Sequence, residues 1–191
     1  MLIIDKMKKI LISLMVMLCW SCDTDNMYST HDCYFVFQAS LYPSSALTRS
    51  VTNNGSFCIV KAVMEHGVTH LKLTPNQGTY AAPDLDLTMS TAVSGRPISY
   101  VRMGYKQGLI IGRSSFGQLK AYDLQCPNCD FNYELRWSGL YELVCDKCKR
   151  TYNINGSEGY VQSGDKGHNL AMYKYVTYNE MDGYLVVSNG L

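Results

Sequence analysis

Three features of the sequence predict an all-β fold. Short apolar runs recur along the chain and are separated by turn signals. Composition favours strands, with 15 Tyr and only 5 Pro among 191 residues, and 15 Gly spread throughout. No segment carries a long apolar stripe at the helical period. The length leaves room for one domain with a full core, built from about ten short strands.

The first segment reads as a targeting signal. Lys6, Lys8 and Lys9 precede an apolar run from Ile10 to Trp20. A helical membrane span needs ~20 apolar residues, so this run fits a secretory signal peptide over 1–21 instead. Initiation at Met7 would make that signal more compact. The run ends Leu18-Cys19-Trp20-Ser21-Cys22, which resembles a bacterial lipobox and implies cleavage after Ser21 and lipidation of Cys22. The expected location is the cell envelope, anchored by lipid to the outer membrane at its periplasmic face or the cell surface. Asp23 and Asp25 follow at once, as either a surface-export signal or a solvated linker. Residues 22–30 are polar and read as a flexible tether, leaving a β domain over 31–190.

The whole chain has a net charge of +1, and 14 basic and 15 acidic residues remain once 1–21 is removed, for a net −1. No basic field for nucleic acid exists, and no polybasic patch would help the lipid hold a membrane.

The strands follow in order. Cys33–Ala39 is apolar and β-prone, Ser44–Ser56 is a polar connection ending in the turn signal Asn53-Asn54-Gly55, and Phe57–Val63 places Cys58, Val60 and Ala62 on one face. Val68–Thr74 alternates. Residues 75–97 lack a period and read as a long loop with a short strand at Leu85–Met89. Ile98–Arg102, Leu109–Arg113, Gln118–Tyr122, Tyr133–Arg136, Leu140–Val144 and Thr151–Ile154 are then separated by glycine-bearing or polar breaks. Met172–Tyr178 and Tyr184–Ser188 close the chain around Met181-Asp182-Gly183, a hairpin signal.

Among eight cysteines, two pairs stand out: Cys126-Pro-Asn-Cys129 and Cys145-Asp-Lys-Cys148, with fifteen residues between them. Two intervening residues let a tight turn aim both sulfurs at one metal while its free N–H groups face the thiolates. Two such knuckles close a tetrahedral all-sulfur site, and their spacing falls in the zinc pattern. The competing reading is disulfides or free thiols in an oxidising compartment. Cys33 and Cys58 are candidates for a cross-sheet disulfide or for two buried thiols acting as small apolar groups.

The surroundings of the knuckles carry a family resemblance. Gly108–Arg113, Gly117–Asp123 and then Cys126 resemble the approach to the first cluster loop of Rieske domains. Cys145-Asp-Lys-Cys148 followed by Tyr152, Asn153, Ile154 and the Asn155-Gly156 turn resembles the second Rieske box, and Leu170–Tyr175 with Asp182–Val187 resembles the closing strands. The resemblance covers roughly 98–188 and implies a Rieske-like antiparallel β-sandwich with a zinc-ribbon-like metal-binding subdomain near 121–156. Rieske boxes read Cys-x-His and Cys-x-x-His. Here the first loop is one residue longer and both histidines are replaced, by Cys129 and Cys148. The raised Rieske potential, ~ −150 to +300 mV, depends on those imidazoles and does not carry over. Zn is therefore the first metal expected and a four-cysteine 2Fe-2S cluster the alternative. His168 lies where the resemblance implies a third loop over the cluster, as a group behind the ligands or as an exposed loop histidine.

No nucleophile elbow or phosphate loop is present, and no catalytic residue is assigned. His66 and His70 are four apart, but Gly67 and the β-branched Val68 and Thr69 favour a turn and strand over a helical metal site. Two functions follow. One is a non-enzymatic binding or assembly module with a structural Zn, serving an unidentified envelope protein. The other is an electron carrier with a 2Fe-2S cluster serving a partner oxidoreductase. A thiol–disulfide oxidoreductase is a third and weaker reading, because no helix follows either pair to lower a thiol pKa.

Overall fold

The computed structural model of the chain describes residues 27–77, 85–88, 98–130, 133–156 and 158–190. The signal segment, Cys22 and most of the 75–97 stretch lie outside the described residues. Within them the fold is all-β, with three antiparallel sheets stacked as layers.

The first layer comprises β1 (Cys33–Gln38), β5 (Ile98–Met103), β12 (Tyr175–Asn179) and β13 (Tyr184–Ser188), in the order β12-β13-β1-β5. The hairpin signal at Met181-Asp182-Gly183 does join β12 to β13, with Asn179 opposite Tyr184 and Gly183 at φ +74. Period-2 alternation in β1 sends Cys33, Phe35 and Phe37 into the core.

The second layer is β4-β3-β2-β6-β7, with β2 at Phe57–Glu65, β3 at Val68–Pro75, β4 at Leu85–Thr88, β6 at Gly108–Arg113 and β7 at Leu119–Asp123. Its central strands are apolar on both faces because both faces are covered. Cys58, Val60, Leu109 and Ile111 pack toward the first layer. Phe57, Ile59, Ile110 and Tyr122 pack the other way, against the third sheet. That explains the unbroken Leu109-Ile110-Ile111 run, which a one-sided sheet would interrupt.

The third layer, β11-β10-β9-β8, carries the cysteines: β8 is Leu135–Trp137, β9 Glu142–Cys145, β10 Thr151–Asn153 and β11 Tyr160–Ser163. Trp137 Nε1 donates to Thr74 O at 2.9 Å and Lys61 Nζ meets Glu134 at 2.7 Å, clamping this sheet onto the second. Buried Asn76 is the third link. Its Oδ1 accepts from Phe57 N at 2.8 Å, and its Nδ2 donates to Gly55 O and Leu140 O at 3.2 and 2.6 Å.

Several expectations are corrected. The Ser44–Ser56 connection contains a helix, α1 (Ala46–Thr52), capped by Ser45 Oγ, which accepts from Thr48 N. It is only seven residues long and rich in β-branched and hydroxyl side chains, so its propensity is low; burial of Leu47 and Val51 on the sandwich holds it. Strand β11 was also unexpected, and thirteen strands are present among the described residues rather than about ten.

The tether does not reach Thr30. Met172 N donates to Met27 O and Ser29 N to Met172 O, at 2.9 and 2.7 Å, so the chain is fixed to the fold from Met27. Cys33 and Cys58 do not form a disulfide. Their strands belong to different sheets, and each thiol instead faces a backbone carbonyl, of Val187 and of Ile59 respectively. Burial, with the charge of Asp123 adding to it, pushes the Cys33 thiol up to about 12.

Candidate metal centre

Each knuckle is built by the strand beside it. Beyond β7 the chain makes a bridge between Gln125 and Glu134, and Cys126 N donates to Tyr133 O at 2.9 Å, so Cys126 leaves the sheet at a fixed angle. Cys145 ends β9. Cys145 N donates to Arg150 O at 3.1 Å and Lys149 N to Cys145 O at 2.9 Å, which folds the turn back on itself. The turn puts Lys149 at φ +60, a left-handed conformation that glycine would adopt with less strain. The register of β8 with β9, Leu135 opposite Cys145, brings the second knuckle beside the first.

The four sulfurs of Cys126, Cys129, Cys145 and Cys148 all lie within 4.8 Å of one another. Two short separations cross between knuckles: Cys126 to Cys148 at 3.7 Å and Cys129 to Cys145 at 3.6 Å. A tetrahedral ion with sulfur ligands at ~2.3 Å puts its sulfurs about 3.8 Å apart, so these residues fit a single ion. Cys126 and Cys145 are fully buried; Cys129 and Cys148 are half-buried at the mouth. The sequence expectation for these four residues as a metal-ligand set thus meets the geometry a metal needs.

Electrostatics of the four thiols are uneven. Burial drives Cys126 far above the ordinary thiol range, against the hydrogen bonds from Tyr152 and Asn128 N–H. Burial first, then hydrogen bonds with Cys148 and Cys145, push Cys129 up to about 11 against the opposing bond with Cys126. At Cys148 burial also opposes ionisation, but the Arg150 backbone N–H, the Arg150 guanidinium and the thiols of Cys129 and Cys126 outweigh it and bring the group down to about 6. Four thiolates so close together demand a cation, and one thiolate is already favoured to receive it.

Three residues lie behind the ligands in roles that the sequence did not assign them. Tyr152, wholly buried, places its hydroxyl 3.2 Å from Cys126 Sγ and accepts from Asn128 Nδ2 at 3.0 Å. Asn128 is the second spacer of the first knuckle. Arg150 donates to Asp165 O and Lys166 O at 3.0 and 3.1 Å and holds the 163–168 loop against the second knuckle. The aromatic residue after the second pair was the available signal for Tyr152.

His168 meets Asn128 through its backbone, and its exposure is that of a loop histidine. Its N donates to Asn128 Oδ1 and its O accepts from Asn128 Nδ2, both at 2.7 Å. The residue is exposed, with its loop lying over the first knuckle. Gly167 permits that approach, since a Cβ there would stand 2.3 Å from Asn128 Oδ1. On the neighbouring hairpin, Arg136 forks onto Asp146 at 2.8 and 2.7 Å in solvent, consistent with a solvated edge.

Beside the centre, Asp123 is buried yet fully engaged. Its Oδ2 accepts from Tyr173 Oη at 2.6 Å, Tyr105 N at 3.1 Å and Ser29 Oγ at 3.3 Å, and its Oδ1 from Gln125 N at 2.9 Å. It joins the approach to the first knuckle to the segment at Ser29. A cavity of 420 Å³ opens there, lined by Tyr28–His31, Asp123, Gln125, Pro127, His168, Asn169 and Ala171.

No family model matches the chain, and no curated protein or solved structure is significantly similar to it.

Proposed function

We infer that this chain is a lipid-anchored cell-envelope protein with a Rieske-like domain, in which Cys126, Cys129, Cys145 and Cys148 hold one structural Zn. Its role is that of a non-enzymatic binding or assembly module for another envelope protein. The observation that carries the metal assignment is the sulfur spacing: four sulfurs within 4.8 Å and two cross-knuckle distances of 3.6 and 3.7 Å. A 2Fe-2S cluster divides four cysteines between two irons and spreads the two pairs along the iron–iron axis, whereas one Zn draws all four together. The envelope location rests on the lipobox-like Leu18–Cys22 sequence.

A structural Zn site in a small peptide is worth ~10–16 kcal/mol of apparent binding energy at neutral pH, comparable to the ~5–15 kcal/mol stability of a whole domain. Zn supplies no redox chemistry, and its work here is to close the third sheet. The chain's own contribution is the donor set around the sulfurs from Tyr152, Asn128 and Arg150.

Metal analysis of protein matured in its own envelope tests this reading. A colourless sample with one zinc per chain is expected. Two irons and two sulfides per chain, with visible absorption and a paramagnetic reduced state, would overturn it in favour of electron transfer.

A further inference from the structure

We propose that the face carrying Tyr28, His31, Lys106 and the 163–168 loop lies against the lipid bilayer, so that the metal centre stands at the headgroup layer. This rests on the lipid anchor read at Cys22. The argument begins with where the chain becomes rigid. Met27–Ser29 runs beside Met172, which in turn bridges Tyr122 at the edge of β7. Asn189 Nδ2 adds bonds to Ser29 O and His31 O, at 2.9 and 2.7 Å. Met27 is therefore part of the fold.

Only five peptide links join Cys22 to Met27, a reach of at most ~18 Å. A domain of about 165 residues has a radius of gyration near ~15 Å and is about 40 Å across. A lipid on Cys22 therefore cannot serve a protein whose far side faces the membrane. The point of attachment must sit in the membrane-facing half.

The topology says which end that is. Met27 lies level with Ala171, opposite Asp123 at the C-terminal end of β7. The same end leads through Gln125 into the first knuckle, and Tyr28–His31 share the 420 Å³ cavity with Pro127 and His168. The other end of β7 is the turn with Phe116, where Ser115 N meets Asn155 Oδ1 on the hairpin turns farthest from the cysteines.

The chemistry of the near face suits headgroups. Tyr28 is 47% exposed, as befits an aromatic residue at a membrane interface. Lys106 sits over the Tyr105 ring, which also lies 5.2 Å from the His31 ring, and Lys166 is exposed on the covering loop. These groups offer donors to phosphate; of the carboxylates on this face, Asp123 is occupied by four protein donors and the exposed Asp165 lies 4.0 Å from the Arg150 guanidinium.

Photo-crosslinking of the full-length lipoprotein tests the proposal. A benzoylphenylalanine is placed at position 166 or at position 116, and the protein is matured in cells and reconstituted in phosphatidylethanolamine–phosphatidylglycerol vesicles. Position 166 is expected to give at least tenfold more lipid adduct than position 116. A thirty-residue Gly/Ser insertion between Asn26 and Met27 should erase the difference. Equal adducts, none at either position, or more at 116 would overturn the orientation, provided the mass of the mature chain shows the lipid. A mature mass without lipid would overturn the anchor and the orientation together.

Discussion

The Tyr152 hydroxyl lies 3.2 Å from Cys126 Sγ, inside the core shared by the second and third sheets. With Asn128 donating to its oxygen, the tyrosine is left to donate its own proton to sulfur. A hydrogen bond to a buried thiolate both orients the ligand and stabilises its charge. Tyr152→Phe keeps the ring and removes only that donor. It should lower metal affinity about 10–100-fold, as removal of a ligand's supporting partner commonly does. Competition against a chromophoric chelator reads the change, and an unchanged affinity would dismiss the bond as incidental.

Metal removal should act locally. The third sheet is small, and its core consists largely of Leu135, Trp137, Leu143, Tyr152, Ile154 and the cysteines themselves. On chelation, amide protection over β8–β11 is expected to collapse, while β1, β2 and β13 stay protected. Hydrogen exchange followed by mass spectrometry distinguishes this from global unfolding and from no effect.

Asn76 connects that sheet to the sandwich through three bonds from a side chain that is 1% exposed. Asn76→Ala would strand the Phe57 N–H and the Leu140 carbonyl, while Gly55 O keeps its bond from Gln77 Nε2. A loss of about 2–4 kcal/mol is expected, measured as a shift in the denaturation midpoint. A loss under about 0.5 kcal/mol would show that water replaces the side chain.

Alkali should destabilise the fold. Burial raises Cys33 to about 12 and raises the Tyr122 and Tyr173 hydroxyls further above their usual range, with the charge of Asp123 adding at Tyr173. A raised folded-state pKa means that the unfolded chain releases its proton first. The stability from Cys33 is thus fully present below about pH 9 and is lost as pH rises toward about 12, at about 1.4 kcal/mol per pH unit. Cys33→Ala should flatten the stability–pH slope by about one proton over that window. An identical slope would locate the sensitivity elsewhere.

Lys149 holds φ +60 to close the second knuckle. Lys149→Gly removes the strain of a side chain in that region at some cost in chain entropy, and a net gain of about 0.5–1 kcal/mol in the metal-loaded protein is expected. Thermal melting measures it; a loss would mean that the lysine side chain contributes more than its backbone costs.

Much of the architecture was legible because it is local. The alternation in Cys33–Gln38 marks a strand buried on one face, and Asp182-Gly183 closes a hairpin that only a positive φ at Gly183 permits. Helix α1 was not legible. Thr48, Ser50 and Thr52 are poor helix formers, and the apolar pair Leu47 and Val51 is too short a stripe to read. Strand β11 is exposed along most of its length, so it lacks the apolar alternation that identifies a strand.

The sequence by itself marked the four candidate ligands, since two residues between cysteines let a tight turn bring each pair toward one point. It also determined most of the strands, through the period of their apolar residues. Only the tertiary structure decided that Cys126 meets Cys148 and Cys129 meets Cys145, because that depends on the register of β8 with β9 and on sheet packing. It alone separated Cys33 from Cys58 into different sheets, and it alone tied Met27 to Met172 at the edge of the fold. Contacts between residues distant along the chain are set by the summed burial of the whole core, and no local pattern of residues encodes that sum.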